Sequence, residues 1–236
     1  MSQSHSTSSV TQDLFSAAAD QAALLGAPAR LKILVLLAQA PKAVEELAAA
    51  TGESVANISQ HLKKLKEGGL LLMQKSGLQR IYALADPRVG LWLETLFDIA
   101  EVTSPHFREQ QRRLADEDEW VSADSEQVFR TIQERKAVVL DVRPSAEAAS
   151  SPLSGALMIP LLELRKRVHE LSKDQVYWIV CRGRTCGQAT EGVRYLRKKG
   201  IQAYRLKESP ISLRYQRKNL SDFALKTESS KKGKKG

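Results

Sequence analysis

The 236-residue sequence predicts two domains: a mainly α domain followed by an α/β domain built on a parallel sheet. Three observations carry this. Helical periodicity fills most of residues 13–102 and is interrupted by one pair of short strands. Beyond about residue 121, short apolar strands alternate with helices, the pattern of a parallel sheet. Between the two patterns, Ser104-Pro105 breaks a helix and a charged stretch follows. The expected boundaries are a disordered Ser/Thr/Gln-rich start over 1–12, a first domain over 13–104, a connector over 105–121, a second domain over 122–222, and a basic disordered tail over 223–236.

Taken in order, residues 13–40 read as helix, with Pro28 suited to a first turn and Ile33, Leu34, Leu36 and Leu37 on an apolar face. Pro41 ends that run. A short helix is expected over 44–50. The turn TGES leads to another that starts at Ser54 and stops at Gly68-Gly69. Residues 70–75 and 79–84 read as strands joined around Ser76-Gly77, and Asp86-Pro87 caps a helix reaching Val102. In the second domain the expected order is a helix from Asp124, strands over 138–141 and 156–159, a helix over 161–171, a strand over 176–180, a helix over 187–199 and a strand over 202–206.

The net charge is +9, unevenly spread. Residues 1–100 sum to zero, 101–120 are acidic, and the excess of positive charge lies beyond 121. Nucleic-acid binding by the first domain therefore has to rest on local arrangement, with the KKGKK tail able to add nonspecific phosphate contacts. No apolar run is long enough for a membrane span, and MSQSHSTSSV lacks the features of a secretory signal. Two cysteines make no disulfide framework, so a cytoplasmic protein is expected.

Residues 54–69 are the most informative part of the first domain. Val55, Ile58, Leu62 and Leu65 form one apolar stripe, with Asn57, Ser59, Gln60, Lys63 and Lys64 opposite. Amides suit adenine edges and lysines suit phosphates or guanine, and a short helix before a tight turn is the geometry that sends a second helix into the major groove. The hairpin tip, with Lys75, Gln79 and Arg80, would reach a flanking groove or the backbone. GAPARLKILVLLAQ, VEELAAATGESVANISQHLKKLKEGGLL and QRIYAL resemble the ArsR/SmtB family of bacterial winged helix-turn-helix repressors over about residues 14–104. The resemblance implies a homodimer on operator DNA, with dimer helices at about 14–25 and 87–101. It makes Ser54, Asn57, Ser59, Gln60 and His61 candidate base or backbone contacts and puts Arg30, Lys64 and Arg80 near phosphates. His61 is equally readable as a packing residue between helix and wing. Glu94, Asp98, Glu101 and His106 read as solvated side chains, so neither metal nor cofactor is expected.

In the second domain, YWIV runs into Cys181 and the loop RGRTC, with a helix expected from Gly187. Loop N–H groups, a helix start, Arg182 and Arg184 all favour a thiolate, so a lowered Cys181 pKa is expected. VVLDVRPSAE, LSGALMIPL and IVCRGRTC resemble a rhodanese-like domain over about 121–206. That resemblance gives Cys181 the persulfide and Cys186 the place of a second loop cysteine. It makes Asp141 and Arg143 supports of the site and Gly183 and Gly187 part of the anion-binding loop. Two departures stand out: Ser150-Ser151-Pro152-Leu153 replaces the usual histidine and glycine, and KESPISLRYQRKNL lacks the glycines and tryptophan that usually follow the last strand, which puts a last helix in doubt. Three readings of the domain stay open: a sensor of reactive sulfur or oxidants, a sulfurtransferase using a sulfane-sulfur donor and a thiol acceptor, and an oxyanion-binding module. In the sensor reading, the acidic run 116–119 is the expected new partner of Arg182 and Arg184 once a Cys181–Cys186 disulfide removes the thiolate.

Overall fold

The computed structural model describes residues 7–121, 134 and 136–215. It divides into two compact units between Val89 and Gly90. The expected connector at 105–121 lies within the second unit. The helix that carries the division, α5 (Arg88–Thr103), buries Leu93 and Phe97, and its Gly90 lies against Ile211 of the second unit.

The first unit opens with α1 (Thr7–Ala23), which begins earlier than the expected residue 13 and lies wholly exposed where its burial is described. The expected helix over 13–40 is in fact two. α2 (Pro28–Leu37) starts afresh at its proline, and Arg30 turns back to cap the end of α1, donating from Nε to the Leu24 carbonyl at 2.6 Å and from Nη2 to that of Ala23 at 3.0 Å. α3 (Val44–Thr51) ends at Gly52, whose φ of +75° is a left-handed cap. α4 (Val55–Glu67) follows, capped by the Ser54 hydroxyl, which accepts the Asn57 N–H at 3.2 Å. Ile33, Leu34, Leu47, Ile58, Leu62 and Leu65 are fully buried where these three helices meet. Val55, expected on that stripe, is instead 47% exposed, because it stands in the first turn, before α4 reaches the core. Gly68 closes α4 against Leu24: a Cβ there would stand 2.2 Å from Leu24 Cδ1. The strands β1 (Lys42–Ala43), β2 (Leu71–Ser76) and β3 (Gln79–Leu84) form an antiparallel sheet in the order β1-β3-β2, with Leu78 fully exposed at the hairpin tip.

The second unit contains the rest of α5, then α6 (Pro105–Leu114), capped by Ser104. Its sheet holds β4 (Trp120–Val121), β5 (Ala137–Asp141), β6 (Leu157–Met158), β7 (Val176–Val180) and β8 (Gln202–Leu206), all parallel, in the order β4-β8-β7-β5-β6. Edge strand β4 lies inside what read as connector; two residues are too few for a sequence pattern. α7 (Ser145–Ser150), α8 (Leu161–Arg167), α9 (Gly187–Lys198) and α10 (Pro210–Tyr215) complete it. Period-2 alternation splits β7 between two cores. Tyr177 and Ile179 pack with Leu164, Val193 and Leu196, whereas Trp178 and Val180 pack with Leu153 and Leu213. The last helix therefore forms without the missing glycines and tryptophan, its Leu213 filling the space behind Trp178. The helix expected from Asp124 and the tail over 223–236 lie outside the described residues.

Candidate functional site

Strand β7 delivers Cys181 to the carboxyl end of the sheet, where parallel α/β folds place their ligands. The chain then turns sharply. Gly183 has φ +90°, which favours glycine, and a Cβ there would meet Ser209 Cβ at 3.1 Å and Glu94 Oε1 at 3.3 Å, so space for a side chain is tight. The loop closes as Cys186 N–H donates to the Gly183 carbonyl at 3.1 Å, and Cys186 is itself the N-cap of α9.

The two sulfurs lie 2.8 Å apart. A hydrogen bond from Cys181 brings the Cys186 pKa down to about 6; burial opposes this, and the N–H groups of Arg182 and Gln188 assist. The same bond and deeper burial push Cys181 well above the ordinary cysteine range. This corrects the expectation of a low Cys181 pKa: the pair shares a proton that stays on Cys181, and the charge sits on Cys186, at the helix start and the less buried of the two.

The charged residues around the loop have the following partners. Arg143 is fully buried; its Nε and Nη2 meet Asp141 Oδ1 and Oδ2 at 3.0 and 2.7 Å, and Nη2 also donates to the Ser151 carbonyl at 2.8 Å. This pair fixes the segment after β5 and touches neither sulfur. Glu147 binds Arg182 through two bonds of 2.8 Å. Arg184 reaches α5, ion-paired with Asp98 and Glu101, and Lys207 holds the other Glu101 oxygen at 2.8 Å. Asp98 and Glu101, read from sequence as solvated, thus fasten the cysteine loop. The acidic run 116–119, expected as a future partner of the loop arginines, is already matched: Asp116 and Glu119 to Arg194, Asp118 to Arg197 and Glu117 to Arg112. Burial raises the Glu94 carboxyl, opposed by a hydrogen bond from Ser209. Among the described residues no group of three His, Cys, Asp or Glu is placed to hold a metal ion. Gly187 opens α9, and a Cβ there would stand 3.5 Å from Leu114 Cδ1, an ordinary contact.

On α4 of the first unit, Ser59, Gln60, Lys63 and Lys64 are exposed, and on the hairpin so are Lys75, Gln79 and Arg80. Asn57 is half-buried and donates its amide to Glu53 Oε2 at 2.7 Å; Ser54 acts as cap. Arg30 is committed to the end of α1. His61 is half-buried, its Nδ1 buried without a hydrogen-bond partner. Arg205 is the residue sequence reasoning missed: a fully buried cation in β8 that bonds three carbonyls of the cysteine loop. The available signal was a charge on the phase of QAYRL that also carries buried Ala203.

Residues 27–71 match the model of the bacterial regulatory protein arsR family, and residues 125–209 match that of the rhodanese-like domain. The chain is 33% identical over 191 residues to the HTH-type transcriptional regulator Rv0324 of Mycobacterium tuberculosis, covering 78% of this chain and 81% of that protein. It is 35% identical over 75 residues to the HTH-type transcriptional repressor SmtB of the same species, covering 32% of this chain and 56% of the relative. A solved homodimeric winged helix-turn-helix DNA-binding domain, Mb0332 of Mycobacterium bovis, shares 30% identity, covering 45% of this chain and 95% of that one, with a TM-score of 0.39. The chain belongs to the arsR family of bacterial regulatory proteins and is a transcriptional regulator with a rhodanese-like domain behind its winged helix-turn-helix.

Proposed function

We propose that the protein is a cytoplasmic, dimeric repressor that binds operator DNA through α4 and the β2–β3 hairpin, and that the state of Cys181 and Cys186 sets its affinity. The observation that carries this reading is Arg184. It lies in the cysteine loop, yet its guanidinium is ion-paired to Asp98 and Glu101 on α5, whose first residues close the winged unit. A change in the loop therefore acts on a helix that runs on from the DNA-binding domain. The exposed polar side chains of α4 and the basic hairpin suit base edges and phosphates. Exposed Leu14 and Phe15 on α1, and Ile99 and Val102 on α5, suit a second copy of the chain. The names of the relatives, a transcriptional regulator and a repressor, agree with this reading.

The chemistry follows from the pair. The Cys186 thiolate attacks the outer sulfur of a persulfide donor, forming Cys186–S–SH and releasing the donor as its thiolate. Cys181 then attacks the inner sulfur, its proton leaving with the departing sulfur. A Cys181–Cys186 disulfide forms and hydrogen sulfide is released. This order departs from the one the rhodanese resemblance implies, and it follows charge and access. A sulfurtransferase is the second reading, favoured by the rhodanese-like match; it requires turnover from donor to acceptor thiol rather than a stable disulfide. Capture of a free oxyanion is less well supported, because Glu147, Asp98 and Glu101 already engage both loop arginines.

The test is a titration of an operator, selected from genomic fragments, with reduced, persulfide-treated and oxidised protein, repeated with Cys181→Ser and Cys186→Ser. A tenfold change in Kd, about 1.4 kcal/mol, is expected between the reduced and disulfide forms and in neither variant. Equal affinity in all forms, with modification verified by mass spectrometry, overturns the sensor.

A further inference from the structure

The cysteine loop rests on a cation outside the loop motif. Arg205, in β8, donates from Nη2 to the carbonyls of Gly183 and Arg184, each at 3.2 Å, and of Cys186 at 2.8 Å, and from Nη1 to the Thr190 hydroxyl. Its guanidinium carbon lies 3.8 Å from the centroid of the Trp120 ring, and its Nε is buried with no hydrogen-bond partner. A buried cation without an opposite charge is strongly unfavourable. Burial pulls this guanidinium down to about 10, and the charges that resist are first Cys186 and Cys181, then Glu119.

The surrounding charges are otherwise matched. Arg182 faces Glu147, Arg184 faces Asp98 and Glu101, and Glu119 is held by Arg194 at 3.0 Å. Among the described residues, what is left over is one buried cation and one buried thiol pair able to carry an anion, joined through the loop between them. We propose that Arg205 is a positioning residue of this site: it gathers three loop carbonyls, fixing the shape of the loop, and its charge is the buried counterpart of the cysteine thiolate. The proposal rests on the reading that the pair reacts as a thiolate, but on no effect upon DNA.

A Gly183–Cys186 turn could be held by hydrogen bonds alone, so the decisive readout is charge rather than stability. The experiment is the pH dependence of iodoacetamide alkylation in reduced full-length protein, comparing the parent with Arg205→Gln and Arg205→Lys, with melting temperature as the control for folding. Arg205→Gln should raise the midpoint by about one pH unit, slowing alkylation about tenfold below it. Arg205→Lys keeps the charge while losing carbonyl bonds; its midpoint should stay near that of the parent even though it melts lower. Equal midpoints in the parent and the Gln variant, or equal shifts in both variants, overturn the proposal. Should the Gln variant fail to fold, Arg205→Met takes its place as the uncharged variant under the same criteria. A parent midpoint no lower than that of free cysteine overturns the thiolate reading itself, and is read from the parent alone.

Discussion

The sulfurs of Cys181 and Cys186 lie 2.8 Å apart, and the hydrogen bond between them lowers the pKa of Cys186, at the helix start, while raising that of Cys181. A disulfide needs about 2.05 Å between sulfurs, so the pair stands less than about 1 Å from bonding distance. The thiolate is the nucleophile in such chemistry.

Alkylation should report this directly. At pH 7, iodoacetamide should label Cys186 before Cys181. Cys186→Ser should slow total labelling at least about tenfold, and Cys181→Ser less, since a thiolate fraction scales tenfold per pKa unit. Peptide mapping by mass spectrometry checks it; Cys181 labelled first would reverse the assignment.

The same pair should make stability depend on pH. Cys186 has a folded pKa of about 6, below its unfolded value, so its contribution is present above the unfolded pKa and lost as pH falls through about 6. Cys181 is raised, so its contribution is present below the unfolded pKa and lost as pH climbs through the folded one. The melting temperature of the reduced second unit should therefore rise from about pH 6 toward the ordinary cysteine range near pH 8.5 and fall beyond it. Cys186→Ser should flatten the rising limb. A parent and variant with the same slope would remove the linkage.

Arg184 should transmit the state of the loop. In Asp98→Asn/Glu101→Gln, the cysteines should still oxidise, as mass spectrometry would show, but the operator affinities of the reduced and oxidised forms should converge. Retention of the full tenfold difference would show that the signal travels another way.

On the DNA side, Gln60→Ala should reduce discrimination between operator and random DNA by about 1–3 kcal/mol. Lys64→Ala should weaken both evenly and lower the salt dependence. Asn57→Ala should cost less discrimination than Gln60→Ala, because the Asn57 amide is already bonded to Glu53. Fluorescence anisotropy on both DNAs would rank the three; Asn57 ranking first would mean that the Glu53 bond breaks on binding.

Removing half of the pair behind β5 should be severe. Asp141→Asn leaves a fully buried Arg143 without its counter-charge and should destabilise the second unit by about 3–5 kcal/mol, measured by urea unfolding.

The helix-turn-helix and the α/β alternation were legible because they rest on local period: Ile58, Leu62 and Leu65 did face the core, and Gly68 did end the helix. The cysteine loop was legible as a motif. What the sequence hid was long-range pairing of charge. Arg184 meets carboxylates more than 80 residues away, Arg205 reaches back about 20 residues to the loop, and no spacing rule links them. Which cysteine has the lowered pKa also depended on three-dimensional facts: the hydrogen bond between the two sulfurs, their depth, and the Gln188 N–H that assists Cys186. Arg30 was hidden for the opposite reason: its bonds in the structure are local, to the carbonyls at the end of the preceding helix.

Strand β6 is two residues long, and Pro160 comes two residues after it ends. It stands at one rim of the sheet with Leu157 and Met158 about two-fifths exposed. An open rim of apolar residues ordinarily invites a foreign strand to dock by backbone pairing. Here there is almost no free ladder to copy, and the proline has no N–H to offer. This rim is therefore a poor template for runaway polymerisation, even when loop chemistry loosens the neighbouring segments.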